Sequence, residues 1–296
     1  MGMSNKAPTL RQFQDRFPTE DSCLDHLMRI RYGDRHDCEK CGKTAHFYRV
    51  KKRRSYACEY CGHQVYPTAG TPFDRTRTSL RDWFFVMFQF CASRNGVAAK
   101  EVERQLGVTY KTAWRMCHMI REYMGQVDGD DPVGGFGKIV EVDETYIGGK
   151  QEGKGAGNYR DNKAIVIGMR ERKGDVITRV VPNRKRATLE PHVFNNVKPY
   201  SEIHTDELVS YSDLGEFKGY WHKTVNHSAD QYVGPTGTTV NGIEGFWAQL
   251  KRGINGTHIH VSAKHLPKYL AEFEFRHNMR DVPHLMLDRL MVSFSR

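Results

Sequence analysis

Residue patterning in this 296-residue chain calls for an α+β protein of several domains. Three observations carry that expectation. Two Cys-x-x-Cys pairs stand sixteen residues apart near the start. A stretch of helical periodicity follows them. Beyond residue 137, consecutive β-type runs give way to amphipathic segments. The expected organisation is 1–70 as an N-terminal helix and cysteine-bearing ribbon, and 71–125 as a helical module. Residues 126–137 read as a linker, and 138–296 as a mixed sheet flanked by helices.

Composition narrows the class. Hydrophobic residues make up 39% and charged residues 27%, the proportions of a folded chain rather than a disordered one. The longest apolar stretch, Trp83 to Ala92, is too short to span a bilayer and contains Gln89, so no membrane partner is expected. The net charge of +10 is uneven: residues 1–124 hold 22 Lys+Arg against 13 Asp+Glu, and the remainder is nearly balanced. A basic first half joined to a balanced second half suggests a polyanion-binding module in front of something else.

The ribbon comes first. Cys38-Glu-Lys-Cys41 and Cys58-Glu-Tyr-Cys61 match a four-thiolate zinc site, each pair supplying two sulfurs from one tight knuckle. Gly42 and Gly62 follow the second cysteine of each pair, where the turn favours a residue without a Cβ. No basic-then-apolar leader opens the chain, so two disulfides of a secreted domain are not expected. His46 to Tyr56 reads as a short hairpin with Lys51, Lys52, Arg53 and Arg54 at its tip and Tyr48 and Tyr56 nearby, a set suited to phosphate contact. Cys23, Cys91 and Cys117 stand alone in apolar settings and read as core thiols.

The helical module opens at Ser79, with Trp83, Phe84, Val86, Met87 and Phe90 as a dense apolar face. Residues 96–108 then lead through Leu106-Gly107-Val108 into a second helix begun by Thr109. This is a helix-turn-helix pattern in which Tyr110, Lys111, Thr112 and Arg115 would face a DNA groove. The plainer reading is an ordinary helical hairpin. The glycine-rich, Asp-rich segment 125–137 breaks the pattern.

Three β runs open the second domain: 137–147, 163–170 and 175–181, with a Gly-rich turn at 153–158. Short links make them an antiparallel meander. A helix is expected around 189–197, then a short strand at 201–206. Residues 240–254 have helical periodicity, with Ile243, Phe246, Trp247, Leu250 and Ile254 on one stripe. Glu244 and Lys251, seven apart, lie within about 20° of each other beside it. A last amphipathic segment runs through Tyr269, Leu270, Phe273 and Phe275.

Three carboxylates stand out. Asp143 is read as ending the first strand, Asp206 as ending a later one, and Glu244 as lying early in a helix. Carboxylates in apolar elements cost desolvation unless they are paired or ligate a cation. Converging Asp and Glu side chains suit Mg²⁺, and two such ions suit phosphoryl transfer. Each residue also has a plain reading: a solvated strand end for Asp143, a cap for Asp206, a partner of Lys251 for Glu244. Glu141, on the face of Asp143, competes with it, as do Glu144 and Glu207.

The strings EVDETYIGGK, IHTDE, VNGIEGFWAQLKRGINGTH and KHLPKYLAEFEFRHNMR closely resemble the insertion-sequence DDE transposases of the IS-fifteen-ninety-five type, over residues 38–280. The resemblance implies an RNase H-like catalytic domain behind the zinc ribbon. It assigns Asp143, Asp206 and Glu244 as catalytic ligands of two Mg²⁺ or Mn²⁺ ions. Lys251, beside Arg252, becomes a phosphate contact. Some relatives carry Asn at the third position, and Asn241 lies three residues before Glu244; the seven-residue step to Lys251 favours Glu244.

The implied activity is cleavage at transposon ends followed by transfer of the freed 3′-OH to a target strand. The implied partners are double-stranded DNA, both terminal inverted repeats and target, and a second copy in a homodimer or larger assembly. A cytoplasmic, nucleoid-associated prokaryotic protein is implied. Gly148 and Gly149 would permit close backbone approach at the edge of the site, and the histidines at 258, 260 and 265 read as DNA-facing or structural. Two alternatives remain open: a DNA-binding regulator or inactive transposase derivative, and a metal-dependent nuclease that only hydrolyses.

Overall fold

The computed structural model describes residues 6–148, 163–216, 219–225 and 238–295. Gly149, the 153–158 turn and the rest of 149–162 lie outside the described residues. The chain forms two compact units: 1–93, 99–127 and 281–296 in the first, and 94–98 with 128–280 in the second.

In the first unit, helices α1 (Leu10–Arg16) and α2 (Glu20–Tyr32) each start at a Thr whose side chain accepts a backbone N–H in a capping box. Five short strands follow: β1 (His36–Asp37), β2 (Thr44–Ala45), β3 (Phe47–Arg49), β4 (Tyr56–Cys58) and β5 (Gln64–Val65). β1 pairs with β2, and β3, β4 and β5 form a three-stranded antiparallel sheet, which is the ribbon. Helix α3 (Leu80–Ala92) buries Trp83, Phe84, Val86, Met87 and Phe90, as its periodicity requires. Helices α4 (Ala99–Leu106) and α5 (Tyr110–Asp128) flank the turn at Gly107. Cys23, Cys91 and Cys117 are buried, and burial pushes the Cys23 thiol up to about 12.

The second unit is built on one five-stranded sheet. β6 (Val133–Gly134) precedes the meander β7 (Ile139–Ile147), β8 (Ala164–Glu171) and β9 (Val176–Val181). Helix α6 (Arg186–Asn196) leads to β10 (Val197–Lys198) and β11 (Glu202–Thr205), then β12 (Trp221–Thr224). The strand order is β12-β11-β7-β8-β9, antiparallel within the meander and parallel from β7 through β11 to β12. Helices α7 (Asn241–Gly253) and α8 (Leu266–Asn278) follow.

Strand alternation sorts side chains between the two faces. Val140, Val142, Ile167, Met169 and Ile203 pack with Leu189 and Val193 of α6. Ile147, Val166 and Val176 pack with Ile243, Phe246, Trp247 and Leu250 of α7 and with Phe273 of α8. Helices therefore cover both faces of a mixed sheet.

Three details depart from the sequence reading. Helix α5 continues to Asp128, and Val133–Gly134 form a strand parallel to β10, so 126–137 is not wholly a linker. The last helix, α9 (Met286–Phe294), belongs with the first unit: Phe294 stacks on Phe73 and meets Trp83, an aromatic site that its position in sequence does not announce. Finally, Asp143 does not end its strand. It is the middle residue of β7, because Thr145 and Ile147 continue the same buried row.

Candidate active site and metal centre

The ribbon centre is made by two equivalent knuckles. Gly42 N–H donates to the Cys38 carbonyl (2.8 Å), and Gly62 N–H to that of Cys58 (3.0 Å). Both glycines have φ near +70°, which a side chain would strain. The four Sγ atoms lie within 4.8 Å of one another; Cys38 to Cys61 is 3.6 Å and Cys41 to Cys58 is 3.9 Å. A tetrahedral zinc with bonds of about 2.3 Å separates its sulfurs by roughly 3.8 Å, so the donor set fits a structural zinc ion.

The basic tip divides. Lys51, Lys52 and Arg53 are exposed, but Arg54 donates to Glu20 of α2 (2.7 Å). Of the two tyrosines, Tyr48 is exposed, while Tyr56 is buried with its hydroxyl donating to Asp25. Tyr56 is therefore not a surface contact. On α5, Tyr110, Lys111 and Arg115 are exposed and Thr112 is half-buried; the Lys100 ammonium sits 5.0 Å from the Tyr110 ring centre.

In the second unit, Asp143 and Asp206 are brought together by register. β11 pairs parallel with β7 with His204 opposite Glu141; Asp143 stands two residues further along β7, and Asp206 just past the end of β11. Asp143 projects to the face that α7 covers. Burial, and next the charges of Glu144 and Asp206, push the Asp143 carboxyl up to about 7. Asp206 Oδ1 accepts the Leu208 N–H (3.0 Å) in a local turn. Glu144 points to the opposite face, where Arg184 (3.0 Å) and the Tyr211 hydroxyl (2.8 Å) both donate to it.

Helix α7 reaches Asp143 through Trp247, whose indole Nε1–H donates to Asp143 Oδ2 (3.1 Å). The ring fits because the residue opposite Asp143 on β8 is Gly168; a Cβ there would come within 2.5 Å of Trp247 Cζ2. Sequence periodicity places Trp247 on the apolar stripe but gives no sign of its bond to a carboxylate. Glu244, one turn earlier, is exposed, as are Asn241, Lys251 and Arg252.

Among the described residues, the cysteine set is the one group of three or more metal-ligating side chains whose ligand atoms all lie within 4.8 Å; Asp143, Asp206 and Glu244 do not close up to that extent. Two ions about 4 Å apart with oxygen ligands at about 2.1 Å spread their outermost ligands over roughly 8 Å, so two hard cations do not require closer carboxylates. His258 packs edge-on against Tyr269, with ring centres 4.8 Å apart. No helix among the described residues is long and apolar enough to cross a membrane.

The chain combines a cysteine ribbon with a mixed sheet that carries a buried aspartate, and comparison with known proteins gives its class, a transposase. Residues 133–278 match the ISXO2-like transposase domain, and residues 18–64 match the transposase zinc-ribbon domain. The chain is 24% identical over 282 residues to an uncharacterized protein in transposable element ISH50 of Halobacterium salinarum, covering 88% of this chain and 91% of that one. It is 36% identical over 115 residues to an uncharacterized transposase-like protein of Haemophilus influenzae, covering 37% of this chain and 86% of that protein. The chain belongs to this family of insertion-sequence transposases.

Proposed function

We propose that this transposase binds the terminal repeats of its element and catalyses metal-dependent strand cleavage and strand transfer. The observation that carries the reading is the nearness of Asp143 on β7 to Asp206, the residue after the parallel neighbour strand β11, with helix α7, which bears Glu244 and Lys251, packed on β7. A three-stranded meander extended by two parallel strands, with helices on both faces, supports the RNase H-like reading of this unit.

Asp143, Asp206 and Glu244 would hold two Mg²⁺ or Mn²⁺ ions, which when bound supply activation of the attacking oxygen and stabilisation of charge on the transferring phosphoryl group. The chain's own groups do the rest. A cation held by Asp143 would displace to solvent the proton that burial favours on its carboxyl. Trp247 fixes the orientation of that carboxylate. Lys251, exposed two helical turns after Glu244, neutralises a phosphate beside the scissile bond. In transfer, the 3′-oxygen of the element forms a bond to the target phosphorus; the bond to the target 3′-oxygen breaks, and that oxygen leaves with a proton. The ribbon tip and the α4–α5 pair, read as a helix-turn-helix with Tyr110, Lys111, Thr112 and Arg115 towards a groove, bind the repeats, and two copies pair two ends.

The test is joining of pre-cleaved end DNA to a target in Mg²⁺ or Mn²⁺. Asp143→Ala, Asp206→Ala and Glu244→Ala should each lower joining by about a thousandfold or more with end binding retained, while Asn241→Ala leaves joining intact. Binding by the wild type without cleavage or joining would favour a regulator or inactive derivative; hydrolysis without joining would favour a nuclease.

A further inference from the structure

The start of helix α7 has one local side-chain acceptor: Thr239 Oγ1 takes the N–H of Asn241 (3.1 Å). Its N-cap residue is Val240, which offers no side-chain hydrogen bond to the first turn. A second acceptor comes from the sheet. Glu141 of β7 is buried, and its Oε2 accepts the backbone N–H of Ile243 at 2.9 Å, across 102 residues of sequence. A carboxylate at a helix N-terminus is stabilised both by that bond and by the helix dipole.

The same carboxylate is fixed from its other side. Arg172 donates to Glu141 Oε1 from Nε and from Nη2, each at 3.3 Å, and Arg170 Nη1 lies 3.8 Å from Oε2. Arg172 also donates to the Thr239 carbonyl (3.3 Å), the residue before the N-cap. Thr239 N–H in turn donates to Nδ1 of buried His204 (3.2 Å), which leaves the His204 Nε2–H to donate to Glu202 (2.6 Å). The entry to α7 is thus gripped by β7, β11 and the end of β8. Gly242 fits this grip: a Cβ there would come within 1.7 Å of Arg170 Nη1 and 2.4 Å of Glu141 Oε2.

We propose that Glu141 is a positioning residue that locks the rotation and register of α7 over β7, and so sets Glu244 against the Asp143–Asp206 pair. This rests on the carboxylate reading above. Glu141 shares the strand face of Asp143 two residues away, but its oxygens are committed to Ile243 and Arg172, so it acts through the helix rather than on a cation or on DNA.

The experiment compares wild type, Glu141→Gln and Gly242→Ala by three readouts: hydrogen exchange of the 241–247 amides, Mn²⁺ binding, and joining with end-DNA affinity measured separately. Glu141→Gln keeps the shape but loses the charge. It should speed exchange in the first turn of α7, weaken Mn²⁺ binding by about tenfold or more, and lower the joining rate at saturating DNA by a similar factor, with end affinity unchanged. Gly242→Ala removes a poor helix former and should by propensity alone strengthen α7; the proposal expects the same losses as Glu141→Gln, because the methyl group displaces the Glu141–Arg170 contact. Unchanged exchange and Mn²⁺ binding in Glu141→Gln would overturn it, as would an intact or improved Gly242→Ala. If wild type itself binds no Mn²⁺, the carboxylate reading fails, and the exchange data still decide whether Glu141 holds α7.

Discussion

The cysteine centre and the proposed carboxylate site are assembled on opposite principles. The ribbon draws four sulfurs from two turns, each written in four consecutive residues and closed by local backbone bonds. The proposed carboxylate site would draw Asp143 from the middle of β7, Asp206 from the residue after β11, and Glu244 from a helix held by Glu141. The first holds soft donors at the spacing of one ion; the second, as proposed, would spread hard donors and include a carboxyl that burial raises. A site built from local turns depends on its metal to exist, whereas a site built on a sheet has its frame before any cation arrives.

That contrast predicts the largest effect. The apolar centre of the ribbon consists of Cys38, Ala45 and Cys58, with Cys41, Phe47 and Cys61 around it, which is too little to fold unaided. Structural zinc contributes an apparent 10–16 kcal/mol or so in small zinc-finger peptides. Cys38→Ser or Cys58→Ser, or chelation, should therefore unfold 36–65, release about one zinc per chain and abolish end binding, while hydrogen exchange in β7, β8 and β9 stays slow. A ribbon that keeps its exchange protection without metal would contradict the comparison.

Packing against the sheet site comes next. Gly168→Ala drives a methyl group into the Trp247 ring and should cost about 1–3 kcal/mol by overpacking. It should also reduce joining, since the displaced indole is the donor to Asp143. Trp247→Phe keeps most of the ring and removes the donor, so it should cost less stability than Gly168→Ala. Thermal unfolding of both variants beside wild type checks the order, and a larger loss in Trp247→Phe would reverse the assignment.

This also explains what the sequence could disclose. The knuckles, the meander, the α7 stripe and the acidic candidates are legible because each depends on neighbours in sequence or on a period of 2 or 3.6. The mid-strand position of Asp143 was not: EVDETYI alternates all the way to Ile147, and a charged pair in its middle reads as an end. The bond from Trp247 to Asp143, the grip of Glu141 on α7 and the packing of α9 with α3 depend on register and contact between distant segments, which no local pattern encodes. Buried Tyr56 shows the converse, since a hairpin aromatic near basic residues looks like a surface contact until α2 supplies Asp25.

A smaller effect follows from the raised carboxyl at Asp143. Its folded pKa, about 7, lies above the ordinary 3.8, so between those values the folded state binds a proton that the unfolded state has lost. The group's contribution to stability is fully present below about pH 4 and is lost as pH rises through 7. A cation must displace the same proton, so Mn²⁺ affinity should rise by about tenfold per pH unit below 7 and level off above it. Calorimetric titration from pH 5.5 to 8 checks the slope. A flat profile would mean that Asp143 is already ionised, and Glu144→Gln should shift the plateau to lower pH by removing one of the charges that raises it.

The smallest effect separates four cations that sequence treats alike. Lys51, Lys52 and Arg53 are exposed at the ribbon tip, and each that touches a phosphate should, when changed to Ala, reduce the salt dependence of end binding by about one unit of slope. Arg54 is already paired with Glu20, whose carboxylate also accepts the N–H groups of Leu80 and Arg81 at the start of α3. Arg54→Ala should leave the salt slope unchanged and instead weaken the seat of the ribbon on α2, an ion pair worth at most about 1 kcal/mol at this exposure. Anisotropy titrations of the four variants at several salt concentrations check the division: equal slopes lost at all four positions would mean that Arg54 leaves Glu20 for the phosphate when DNA binds.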